Sequence, residues 1–254
     1  MIALILLIVL VVIGLKIYNQ KAGVKFQLSP TTRQLLFNQV VFYRDLDEKQ
    51  KRLFENRVED FLQQVTITGI GVTVEDLDRI LIASGAIIPI FAFPDWKYNN
   101  ISEVLLYKDN FSADYKTEGK DRNILGMVGD VALHREMILS QPSVRSSFQN
   151  YTDGHNTVIH EFVHLIDKAD GDVDGVPKYL LSRPYLLPWI NRIHETIKEM
   201  KDKERSDINL YGATNDAEFF AVVSEYFFER PDVLKTHHPE LYSMLEQMFH
   251  PSQK

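Results

Sequence analysis

The chain has 254 residues, 45% of them apolar and 25% charged, which is the make-up of a globular protein with enough length for a substantial core. It contains no cysteine, so disulfides, thiolate metal sites and cysteine nucleophiles are excluded. A net charge of -7 gives nucleic-acid binding no global support, and no direct nucleic-acid partner is expected.

The N-terminus is the compositional outlier. "MIALILLIVLVVIGL" carries no charge, and Lys16-Ile17-Tyr18 extends the run by snorkelling. Eighteen helical residues reach about 27 Å against a hydrocarbon core of about 30 Å. Residues 1–18 are therefore expected to be an uncleaved transmembrane anchor, with an apolar helix packed on the domain as the alternative. A signal peptide would carry a basic n-region and a small-x-small cleavage site, and neither is evident. Lys16, Lys21, Lys25, Arg33 and Arg44 precede the first acid, Asp45, which by the positive-inside rule puts the body on the cytoplasmic side of the inner membrane. Residues 19–30 read as a polar linker and 31–254 as the folded domain.

From Leu46 to Val65, apolar residues at three- and four-residue spacings predict an amphipathic helix. Thr73 and Asp76 form a capping signal ahead of a uniformly apolar stretch, Ile80 to Phe93, too short and too broken by Gly85 and Pro89 to span a membrane. It reads as a buried helix. Strand-like runs follow at 102–107, 124–133 and 136–140, and helical patterns return from His155 onward. The order is helices, a small mixed sheet, then helices: an α+β domain without a βαβ repeat.

The chemistry concentrates in "VIHEFVHLID" (158–167). On a helix, His160 and His164 project together, at a spacing that lets both imidazoles close on one zinc ion. Glu161 then stands beside the metal, where it can take a proton from water. The set lies in an apolar helix, where buried charge needs a compensating cation or partner. A third ligand must come from elsewhere. The extended motif HExxHxxGxxH is absent, its last two marked positions being Asp167 and Asp170. A downstream helix, "NDAEFFAVVSEYFFERP" (215–231), offers Glu218 and Glu225, seven apart on one aromatic face. Glu218 also fits as the third residue of a capping box begun by Asn215, and spacing alone leaves the two glutamates tied. Asp167, on the same face as the histidines, reads as a carboxylate that orients a ligand or packs the helix, and Glu225 is the other candidate to hold a ligand imidazole through its free N–H. "DGDVDG" (170–175) matches half a calcium loop, but Leu181 stands where the closing glutamate belongs.

"IHEFVHLIDKADGDVDGVP", "LYGATNDAEFFAVVSEYFFERPDVL" and "FPDWKYNNISEVLLYKDNF" together resemble the family of Mlc titration factor A, bacterial zinc metallopeptidases tied to glucose-uptake regulation. The resemblance spans about residues 40–250. It implies a mostly helical zincin-like domain, zinc as cofactor, His160, His164 and Glu218 as metal ligands, and Glu161 as general base. It also implies an active-site tyrosine at Tyr211, whose phenol would donate to the oxyanion. The expected activity is hydrolysis of peptide bonds in a peptide or protein substrate, with aminopeptidase-like action suggested by the family. The alternative is a regulatory binding protein that sequesters a transcriptional repressor, or another partner, at the membrane.

Overall fold

The computed structural model describes residues 27–109, 126–128, 135–181, 183–203 and 206–250. The anchor expected over 1–18 and nearly all of the linker lie outside these residues. Among the described residues, no helix is long and apolar enough to cross a membrane.

The domain opens with α1 (Pro30–Gln39), α2 (Val41–Asp45) and α3 (Glu48–Gln64). Asp47 caps α3 by accepting from the Lys49 and Gln50 amides, and the Gln50 side chain returns the bond to the Asp47 N–H. Helix α3 buries Phe54, Val58 and Phe61, the face its spacing predicts. β1 (Thr66–Ile70) follows directly, then α4 (Asp76–Ile87), which tightens into a 3-10 turn at Ile88–Ile90. The sequence reading differs here in three ways. It has no α1, α2 or β1; it caps α4 at Thr73 and Asp76, whereas Glu75 and Asp78 form the capping box; and it carries the apolar helix to Phe93, whereas Pro89 lacks the N–H needed to continue it. Arg57 closes that end, its buried guanidinium donating to the Ile90, Phe91 and Trp96 carbonyls at 2.6, 3.1 and 3.1 Å. Burial lowers the Arg57 pKa.

β2 (Glu103–Tyr107), β3 (Gly126–Val128) and β4 (Glu136–Ser140) complete a four-stranded mixed sheet in the order β1-β2-β4-β3. β1, β2 and β4 run parallel, and β3 lies antiparallel on β4 as an edge strand. Because β1 pairs with β2 across α4, the domain contains one βαβ unit that the sequence reading, lacking β1, does not have. The α+β class stands: mostly helical, with one small sheet.

After β4 come α5 (Gln141–Gln149), α6 (Thr157–Asp167), α7 (Arg183–Lys203), α8 (Asp216–Glu229), α9 (Pro231–His237) and α10 (Pro239–Phe249). α6 and α8 pack against each other at the centre, with Val158, Phe162, Val163, Phe219, Phe220 and Val223 all fully buried. α4 backs α6 at very short range. A Cβ built on Gly85 would lie 2.4 Å from Val158 Cγ1, so the approach of these two helices requires a residue without a side chain. The N-terminus of α4 is tied to α5 by Arg145, whose guanidinium donates to the fully buried Asp78 carboxylate at 2.8 and 3.2 Å.

Candidate metal centre

α6 begins at Asn156, whose Oδ1 accepts from the Ile159 amide at 3.0 Å. One turn later His160 and His164 project from the same face, rings nearly perpendicular, with their Nε2 atoms 3.1 Å apart. α8 begins at Asn215, whose Oδ1 accepts from the Glu218 amide at 2.9 Å. That is half of the capping box seen in the sequence. The Glu218 side chain does not return to the Asn215 N–H; it turns to the imidazoles, with Oε2 3.0 Å from His160 Nε2 and 3.5 Å from His164 Nε2.

These three edges bear on whether the set suits a metal. A tetrahedral ion with ligand bonds of about 2.0–2.1 Å separates its ligands by about 3.3–3.4 Å. The observed 3.0, 3.1 and 3.5 Å are close to one face of such a tetrahedron. The proton inventory agrees. Glu225 Oε1 lies 2.7 Å from His160 Nδ1, so Nδ1 donates there and Nε2 is left facing a carboxylate oxygen, a gap that only a proton or a metal ion can bridge. Electron pairs meeting in a buried space call for a cation. His160, His164 and Glu218 are the three-residue group, among the described residues, whose ligand atoms suit a metal ion.

The electrostatics carry the same signature. Burial would lower the pKa of His160, but hydrogen bonds to Glu218 and Glu225 outweigh it and raise it well above the usual imidazole range. Burial likewise pushes Glu218 up, and the two imidazoles overcome this and hold it well below the usual carboxylate range. Glu161, 6% exposed, has its pKa raised by desolvation, partly offset by the two histidines.

Tyr211 sits in a 3-10 turn, Leu210–Ala213, and its own amide donates to Asn209 Oδ1. Its ring centroid is 6.0 Å from that of His160, and burial together with Glu218 raises its pKa. Tyr211 is half exposed, so its phenol borders both the ligand set and solvent.

The two remaining candidates part company. Glu225 holds His160, and its other oxygen accepts from the Asn156 amide at 2.6 Å. Asp167 is not hydrogen-bonded to His164. Its Oδ2 accepts from the Gly175 amide at 2.8 Å, and burial pushes its pKa up to about 6. Asp167 thus anchors the loop leaving α6. Gly175 has φ of +73° and leaves room for the α8 backbone: a Cβ there would lie 2.3 Å from Asp216 O. Trp189 Nε1 donates to the Gly175 carbonyl at 2.7 Å. This knot presses the exit loop onto the first turn of α8, the turn that carries Glu218. In the calcium-like stretch, the Lys178 ammonium stands 3.6 to 3.8 Å from the Asp170, Asp172 and Asp174 carboxylates.

Two residues at the site are absent from the sequence reading. Asn156 caps α6, holds Glu225 through its N–H, and donates from Nδ2 to Glu229 Oε1 at 3.1 Å. Its signal is an ordinary one, an Asn just ahead of an apolar helix. Glu229 lies four residues beyond Glu225 and extends the face that carries Glu218.

A pair of helices presenting HExxH and a later glutamate to one point defines the class: metallopeptidases whose third ligand comes from a separate helix. The sequence model of the glucose-regulated metallo-peptidase M90 family matches residues 16–250, and the chain belongs to that family. An uncharacterised protein of Synechocystis is 29% identical over 91% of this chain and 88% of its own length. Mlc titration factor A of Salmonella arizonae is 29% identical over 82% of this chain and 86% of its own, and that of Cronobacter sakazakii 28% over 77% of each.

Glu229 generates a pH dependence. Its carboxyl ionises near 4.5 when solvated and is pushed up to about 8 in the folded protein, chiefly by burial. Between these values the folded state holds the extra proton, so this group's contribution to stability is full below about 4.5 and is lost as pH rises to about 8. Denaturant unfolding of Glu229→Gln should accordingly show a shallower decline of stability from pH 5 to pH 8 than the unaltered chain; parallel curves would contradict the assignment.

Proposed function

We propose that the chain is a zinc-dependent peptidase that hydrolyses peptide bonds, held at the cytoplasmic face of the inner membrane by residues 1–18. The observation that carries this reading is the meeting of two imidazole nitrogens and one carboxylate oxygen within 3.5 Å, with Glu161 beside them. Three protein ligands suit a catalytic zinc, since structural zinc sites use four. A zinc ion there would polarise the scissile carbonyl and lower the pKa of water towards neutrality.

The side chains then have distinct tasks. Glu161 takes the proton from the attacking water and passes it to the departing amine nitrogen. Desolvation raises its pKa, which improves it as a base towards water and keeps the returned proton available. Tyr211 donates its phenolic proton to the carbonyl oxygen as negative charge builds there. Glu225 fixes the His160 ring so that Nε2 faces the centre. The peptide backbone adds to β3, the edge strand running past α6.

The name of the relatives, Mlc titration factor A, supports a second reading in which the chain captures a regulatory protein such as a transcriptional repressor. Capture requires no general base, and this separates the two.

Glu161→Gln should keep its metal and lose hydrolysis of a peptide library by at least about a hundredfold. Unchanged hydrolysis would remove Glu161 from the mechanism, and a lost cellular effect would set catalysis above capture. Tyr211→Phe should lower kcat by about a hundredfold with KM little changed; a change confined to KM would make Tyr211 a substrate contact only. Fractionation tests the anchor: the full chain should sediment with membranes and a variant lacking residues 1–18 should not. Recovery of both in the soluble fraction would refute it.

A further inference from the structure

Tyr211 is 53% exposed, and the ring it faces, that of His160, is 6.0 Å away between centroids. Packing around the phenol therefore does little to place it. A side chain so exposed takes its position from the backbone beneath, and a misplacement of about 1 Å can cost about a hundredfold in rate. Apolar contacts set the height of its turn over α8: Ile208 is buried, and a Cβ built on Gly212 would lie 3.2 Å from Val222 Cβ. Asn209 adds a link to the start of α6, its Nδ2 donating to His155 Nδ1 at 3.2 Å.

The strongest tie lies just ahead of the turn. Asp207 Oδ2 accepts from the Tyr226 hydroxyl at 2.8 Å and from His237 Nδ1 at 2.9 Å, while Oδ1 accepts from His238 Nε2 at 2.8 Å. A carboxylate offers only lone pairs, so both imidazole nitrogens donate. The donors come from three places: α8, the last residue of α9, and the residue joining α9 to α10. Burial pushes the Asp207 pKa up, but the hydrogen bonds from His238, His237 and Tyr226 outweigh it and hold the group well below the usual carboxylate range. Asp207 thus stays ionised near neutral pH, and hydrogen bonds to an ionised acceptor are among the stronger ones. We propose that Asp207 is a positioning residue: its grip on Tyr226, His237 and His238 fixes the turn that carries Tyr211 and so holds the phenol beside the metal centre. The inference rests on the reading of Tyr211 as the oxyanion donor. It makes the α9–α10 junction, which contributes nothing to the ligand set, a determinant of the site's geometry.

Hydrogen exchange of the metal-free full chain and kinetics of the zinc-loaded chain test this with Asp207→Ala. The amides of Tyr211, Gly212 and Thr214, each hydrogen-bonded within the turn, should exchange at least about tenfold faster in the variant, with protection of α6 unchanged. The kcat should fall at least about tenfold, with KM and metal affinity little changed. In a Tyr211→Phe background the same substitution should alter kcat by less than about twofold, because a residue acting through the phenol then has nothing left to place. Unaltered exchange in the turn, an unchanged kcat, losses that add fully in the double variant, or a lost metal affinity would each overturn the proposal. If the unaltered chain hydrolyses no peptide, the peptidase reading fails, and exchange alone decides for or against the anchor. Should Asp207→Ala fail to fold, His237→Ala, at a donor 52% exposed, takes its place. Faster exchange and a lower kcat there support the anchor, and no change in either refutes it.

Discussion

A single helix can bring two imidazoles to one point by its own period, but the carboxylate charge that faces both rings and completes the candidate metal site has to come from elsewhere. That charge arrives only through the contact between α6 and α8, and much of the fold serves this contact. Gly85 lets α4 back α6 at a distance no other residue permits. Gly175, pinned by Asp167 on one side and Trp189 on the other, seats the exit loop of α6 on the first turn of α8. Asn156 then joins the start of one helix to the last two turns of the other. The ligand geometry is thus set by backbone approach and buried hydrogen bonds, both far less compliant than surface contacts.

The cost of this arrangement is electrostatic. Glu161 and Glu225 are buried and Glu218 is largely so, all around the same two histidines. Their mutual repulsion and desolvation are offset only where positive charge enters, and the raised pKa of His160 and the lowered one of Glu218 show how strongly the site draws it. A divalent ion held by His160, His164 and Glu218 would offset this negative charge. Burying this much acid would be unfavourable for a helix pair serving packing alone.

The helical parts of the site were legible because their signals are local. HExxH on an apolar helix reads directly from the sequence, as do the amphipathic helix α3 and the strands β2 and β4. The choice between Glu218 and Glu225 was not legible from spacing, since both lie on the same face; the resemblance to a known family favoured Glu218. The structure shows why the tie was real: both glutamates reach His160, one at Nε2 and the other at Nδ1. β1 escaped because five residues with a glycine, following directly on a helix, carry too little alternation to register. Asn156, Gly175 and Glu229 escaped because their roles exist only between segments far apart in the chain. Asp167 was placed on the right face, but its partner, the Gly175 amide, belongs to a loop whose path no periodicity reveals.

The central claim is that Glu218, brought in from α8, completes a metal site on α6. Metal content and affinity of the full chain and of Glu218→Ala, measured side by side, test it most directly. The account requires one divalent ion per unaltered chain and an affinity loss of at least about a hundredfold in the variant. Equal affinity in the two proteins, with the variant folded, would mean that the carboxylate is a neighbour of the imidazoles and not their partner in holding the ion.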